Sequence, residues 1–210
     1  MLAVGARRGL LTALILLTML LAGCAARPPR VHEPAVQAWP ERLRALQAIE
    51  HFQLAGRIAA SNGSDAFSAG VHWRQQGDDA VIDLSGPLGL GAAHIVQSGS
   101  ILSVTNAQGV AYHGPPAGEQ LASTLGFDPP LASLRYWVLG ASDPSPVTAR
   151  VLDAQQRLVR LQQQGWQIDY EQYSQVQDQW LPRRVSITQG RYRLKLAVNS
   201  WQLGGHDGPL

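Results

Sequence analysis

From residue 52 onward the chain alternates apolar and polar side chains with a period of two, the pattern of strands buried on one face. Phe52, Leu54, Gly56 and Ile58 fall on one side, and Gln53, Ala55, Arg57 and Ala59 on the other. Phe67, Ala69, Val71 and Trp73 repeat the pattern, as do Ala80, Ile82 and Leu84. Shorter strands are expected at about 91–97, 100–106 and 109–113, separated by Gly, Ser and Asn turns. Alternation returns with Trp166, Ile168 and Tyr170, and again with Tyr192, Leu194, Leu196 and Val198. Helical spacing replaces it in three places. Pro40 to His51 opens with a proline suited to a first turn and carries Leu43, Leu46 and Ile49. Pro116 to Gly126 and Leu131 to Gly140 each end on a glycine stop. The pattern predicts a mainly β chain with some α: one curved antiparallel sheet, a helix before it and two helices in its middle.

The N-terminus follows different rules. Arg7 and Arg8 precede an apolar run from Leu10 to Ala22. Thirteen helical residues span about 20 Å, short of the roughly 30 Å hydrocarbon core, so the run reads as an export signal and not as a membrane span. It ends Leu21-Ala22-Gly23-Cys24, which resembles the bacterial lipobox at all four positions. Cys24 is the chain's single cysteine, so no intramolecular disulfide and no cysteine-rich zinc site is possible. The resemblance implies cleavage before Cys24 and acylation of that residue. Ala25, where aspartate would favour retention at the inner membrane of a Gram-negative cell, implies sorting to the periplasmic face of the outer membrane. Domain boundaries follow: a signal peptide at 1–23, an acylated cysteine and proline-rich tether at 24–38, a folded domain at 39–203 and a disordered tail at 204–210.

Charge narrows the partners. Without Arg7 and Arg8 the basic and acidic residues balance at 15 each. Lys195 is the single lysine, and no basic block occurs along the sequence, so the chain lacks the footprint of a nucleic-acid binder. It also lacks the polybasic cluster that would hold a protein on anionic lipid by charge alone. There is no Gly-x-Ser-x-Gly elbow and no phosphate-binding loop. His32, His51, His72, His94 and His113 are scattered singly, without metal-ligand spacing, and Asp78-Asp79 reads as a turn. Neither a cofactor, a metal nor a catalytic group is expected.

Six tryptophans stand out. Trp73, Trp166 and Trp201 fall in strand segments and Trp137 on the second middle helix. They suit either a packed core or the lining of an apolar cavity. A lining of Trp73, Leu84, Trp137, Trp166, Ile168 and Trp201 follows from the alternation, and a one-residue slip would invert it.

In order along the chain, Leu54-x-Gly56-Arg57-Ile58, Val71-x-Trp73-x-Gln75 and Leu84-Ser85-Gly86-Pro87-Leu88-Gly89 resemble the LolB family of outer-membrane lipoprotein receptors. So do Leu134-Arg135-Tyr136-Trp137-Val138-Leu139-Gly140, Gln164-Gly165-Trp166-x-Ile168-x-Tyr170, Leu181-Pro182 and Trp201. The likeness spans about residues 39 to 202. It implies an open half-barrel of about eleven antiparallel strands with helices as a lid over an apolar concavity. It implies a monomer that takes acylated lipoproteins from a LolA-like periplasmic carrier and inserts them into outer-membrane lipid, without enzymatic chemistry. It also implies that Leu88, in the turn Gly86-Pro87-Leu88-Gly89, protrudes and promotes delivery. A scaffolding lipoprotein with a filled core, or a carrier of another amphiphile, fits the same lipobox.

Overall fold

The computed structural model describes residues 37–86 and 92–204. Cys24, Leu88, most of the tether and the tail beyond Gly204 lie outside the described residues. Helix α1 (Trp39–Gln47) leads into β1 (His51–Ser61), β2 (Ala66–Gln76), β3 (Asp79–Ser85), β4 (Ala93–Ser98), β5 (Ile101–Asn106) and β6 (Ala111–His113). Helices α2 (Pro115–Leu125) and α3 (Leu131–Trp137) follow. The chain closes with β7 (Val147–Leu152), β8 (Leu158–Gln163), β9 (Trp166–Val176), β10 (Gln179–Gln189) and β11 (Tyr192–Leu203). All eleven strands form one antiparallel sheet in the order β6-β5-β4-β3-β2-β1-β11-β10-β9-β8-β7. Its two outermost strands do not pair with each other, so the sheet stays open, as the family resemblance implies.

Two meanders meet where β1 pairs with β11. The apolar alternation of both strands falls on one face: Ile58 stands opposite Leu196, and Ala60 opposite Leu194. At Gly56 the register shifts, and the strands come so close that a Cβ there would lie 2.2 Å from the Ala197 carbonyl oxygen. Only glycine fits that bulge.

The helices cover the inner face. In α1, Trp39, Arg42 and Leu46 are buried. The Arg42 guanidinium donates to the Trp180 carbonyl, and the Gln47 side chain donates to the Ser142 carbonyl at 2.9 Å. Burial lowers the Arg42 pKa from its ordinary value. Helix α1 ends at Gln47, earlier than its periodicity predicts, because the chain turns out and His51 joins β1 opposite Gln76. Helix α2 ends on Gly126 in the left-handed conformation. Helix α3 stops at Trp137, short of the predicted Gly140. Its last turn tightens, with Leu139 N–H donating to the Tyr136 carbonyl and Gly140 N–H to that of Trp137.

Candidate apolar binding cavity

Alternation in β1, β2 and β3 aims Ile58, Val71, Trp73, Ile82 and Leu84 at the helices. Helix α2 returns Leu121 and Leu125, spaced four apart on one helix face, and Leu134 of α3 and Val138 just beyond it complete the wall. Together they enclose a cavity of about 50 Å³, and every described side chain lining it is apolar. That volume holds one or two groups the size of a water or methylene. The one polar atom on the Trp73 ring is satisfied at the rim, its Nε1 donating to Gln75 Oε1 at 2.9 Å, while the Gln75 amide donates to the Gly77 carbonyl.

A larger cleft of about 410 Å³ adjoins this cavity and shares Trp73, Ile82 and Leu131 with it. Its walls are partly polar, with Gln75, Asp78, Gln97 and Arg135 among them. Arg135 Nη1 of α3 lies 2.7 Å from Asp78 Oδ1 in the β2–β3 turn, which ties the helix to the sheet across this opening. The guanidinium also sits 4.8 Å from the centre of the Tyr136 ring. The Asp78 carboxylate is 86% exposed, so the pair is well hydrated and easily exchanged for water.

Of the six side chains expected to line a cavity, the structure places Trp73 and Leu84 there. Trp137, Trp166 and Ile168 sit in the packed core under the β8–β9 half of the sheet. Trp137 meets Trp166 at 6.5 Å between ring centres, and Trp166 meets Phe127 at 5.7 Å. Trp201 is half-buried on β11, its Nε1 donating to the Pro182 carbonyl at 3.1 Å and its ring 5.8 Å from Phe52. Reading by aromatic content overlooked Leu121, Leu125, Leu134 and Val138. Their signal in the sequence is the helical spacing of branched aliphatics that faces the Val71 and Ile82 alternation.

Among the described residues no titratable side chain lines the apolar cavity itself. His94 Nδ1 pairs with Asp83 Oδ1 at 2.6 Å on the outer face. Asp78 lies in the β2–β3 turn, as the sequence predicts. Among the described residues no three His, Cys, Asp or Glu side chains gather in a group that could hold a metal ion.

Comparison with known proteins gives this cavity a family. The sequence model of the family described as Outer membrane lipoprotein LolB matches residues 50–201. The outer-membrane lipoprotein LolB of Nitrosococcus oceani is 35% identical over 196 residues, covering 92% of this chain and 98% of that one. That of Alkalilimnicola ehrlichii is 32% identical over 198 residues, covering 94% and 98%. Among solved structures, a LolA-superfamily protein from Nitrosomonas europaea shares the fold with a TM-score of 0.51 at 9% identity, over 82% of this chain and 96% of that one. The chain therefore belongs to the LolB family of outer-membrane lipoproteins.

Proposed function

We propose that this protein, anchored through an acylated Cys24, accepts acylated lipoproteins from a LolA-like periplasmic carrier and releases them into the inner leaflet of the outer membrane. The observation that carries this reading is the wholly apolar lining of the cavity between the sheet and α2–α3. An alkyl chain offers nothing to hydrogen-bond, and each methylene removed from water contributes about 0.8 kcal/mol. A pocket of aliphatic side chains and one indole therefore binds acyl chains by area and shape, with little selectivity among cargoes.

The cavity as it stands is smaller than an acyl chain, so cargo enters as α2 and α3 move away from the sheet. Gly114, Gly126 and Gly140, all with positive φ, bound the two helices and supply the backbone freedom. The Arg135–Asp78 pair is the contact that opens most cheaply, because water replaces it. Transfer then runs downhill by relative affinity, from carrier to cavity to bilayer. Leu88, between turn-forming residues, gains about 1.5–3 kcal/mol when its side chain passes from water into lipid and biases the last step.

The test is delivery of an acylated lipoprotein from its carrier to liposomes, comparing wild type with Leu88→Glu. The expected outcome is that the variant still strips cargo from the carrier but no longer delivers it. Equal delivery by both removes the role of Leu88. Failure of the wild type to accept cargo removes the receptor reading.

A further inference from the structure

The sequence holds no run of basic residues, yet the sheet assembles one in space. On the outer face, cross-strand register places Arg57 of β1 and Arg184 of β10 on either side of Ala197 of β11. One row along, Lys195 stands between Ala59 and Ser186. The small side chains between the cations leave a groove of about 370 Å³. Each of the three cations points into it without an ion pair or hydrogen bond to any described residue. Glu171, opposite Arg184, is the single carboxylate among the described residues lining the groove, so the site keeps an excess of positive charge. Arg193 extends the same face one row further, opposite Ser61 and Thr188. Elsewhere on this face His94 pairs with Asp83 and Arg160 with Asp169, while Arg74 of β2, opposite Gln53 and away from the groove, makes no ion pair with a described residue. The cluster of cations without an ion pair among the described residues therefore lies at one end of the sheet.

That end has a second property. Arg57 pairs with Gly70, and Gly70 with Ser85, the last residue of β3 before the segment that carries Leu88. The cationic rows and that segment thus leave the sheet at the same end. The tether sets the remaining condition. Fourteen residues separate Cys24 from Trp39, and fully extended they reach no more than ~50 Å. A domain held so close to a bilayer meets phosphate headgroups at high local concentration, and a guanidinium pairs with phosphate oxygens in a fixed fork.

We propose that the Arg57–Arg184–Lys195 groove docks the protein on the anionic phospholipid headgroups of the bilayer that anchors it. Docking turns the delivering end of the sheet toward lipid before cargo is released. The proposal rests on the anchored-receptor reading above, and its test separates the two. The acylated full chain carries a fluorophore at Thr188→Cys, the one thiol left free once Cys24 is acylated. It is placed in vesicles with a headgroup-bound quencher, either phosphatidylcholine alone or phosphatidylcholine with about a third phosphatidylglycerol.

The expected result is quenching on phosphatidylglycerol vesicles only, lost near 1 M salt, where the screening length falls to about 3 Å. A surface cation contributes about five-fold to such binding. Arg57→Gln, Arg184→Gln and Lys195→Gln combined therefore lower the docked-to-undocked ratio about 100-fold, while Arg57→Lys with Arg184→Lys preserves most of it. Equal quenching on neutral vesicles, or in the triple variant, overturns the proposal. So does a label that responds to the carrier protein and not to lipid, which would make the groove a protein-docking surface. Cargo acceptance from the carrier is measured on the same samples without quencher. The triple variant is expected to accept normally, which also shows that it is folded. Failure of the wild type to accept while docking persists removes the receptor reading and leaves the groove.

Discussion

The indole Nε1 of Trp137 donates to Oε1 of Gln163 at 3.0 Å, joining the end of α3 to β8 where neither side chain is exposed to solvent. The same oxygen accepts the Asp143 backbone N–H at 3.1 Å, and the Gln163 amide nitrogen donates to Asp143 Oδ1 at 2.8 Å and the Ser145 carbonyl at 2.7 Å. One buried glutamine thus organises the helix end and the following loop. The last turn of α3 is thus held by a buried contact at Trp137 and by an exchangeable one at Arg135.

Gln163→Leu keeps the volume and removes both halves of this network. The Trp137 N–H and the Asp143 N–H lose their partner in the interior, at about 1–3 kcal/mol for each group left unsatisfied. We expect the midpoint of urea unfolding to fall by the equivalent of about 2–4 kcal/mol. A change below about 0.5 kcal/mol would mean that water takes over the bonds.

Asp78→Asn removes the charge that holds Arg135. The carboxylate is exposed, so stability should change by less than about 1 kcal/mol. Uptake of a fluorescent acyl probe should quicken by up to about five-fold, and 1 M salt should erase the difference between variant and wild type. An unchanged rate, followed by stopped flow at low salt, would show that opening does not pass through this pair.

Val71→Phe places a ring in the apolar cavity from the sheet side. Filling existing space limits the strain, so stability should stay within about 1.5 kcal/mol of wild type. Cargo acceptance should weaken several-fold, as read by the fraction of lipoprotein stripped from the carrier. Undiminished acceptance would place the acyl site elsewhere.

Gly56→Ala drives a methyl into the Ala197 carbonyl, a backbone atom that cannot swing aside. A loss of about 1–3 kcal/mol is expected in thermal unfolding. Gly70→Ala meets instead the Ser85 hydroxyl at 2.7 Å, a side-chain atom, and should cost less.

The strands that were easiest to find from sequence are those packed on one side and bare on the other, such as β2 and β11. There each apolar position is fixed by burial and each polar one by water. Strands β7, β8 and β10 gave no such signal. Every interior position of β7 is exposed at the sheet edge, β8 carries the buried Gln163 where an apolar residue would keep the alternation, and Pro182 interrupts β10. The cavity was legible only in part for a related reason. Trp73 and Trp166 have the same local pattern, and which of them borders empty space depends on what α2 and α3 bring over it. Phe127 and Trp137 fill the space over Trp166, while shorter aliphatics leave a void over Trp73. The basic groove was invisible because its members come from β1, β10 and β11, far apart in the chain and adjacent only through the sheet order.

The pairing of β1 with β11 also governs when this molecule is able to fold. The first strand finds its second neighbour only in the last strand, so the centre of the sheet depends on contacts between opposite ends of the domain. Such non-local pairing is slow to form, and the loop that it closes spans nearly the whole chain. During export the N-terminal half reaches the far side of the membrane well before its partner strand. Until β11 arrives, β1 and β10 each present an open edge with an apolar face, the kind of surface that invites wrong partners. The open edges of this chain must therefore themselves be shielded until its last strand has crossed.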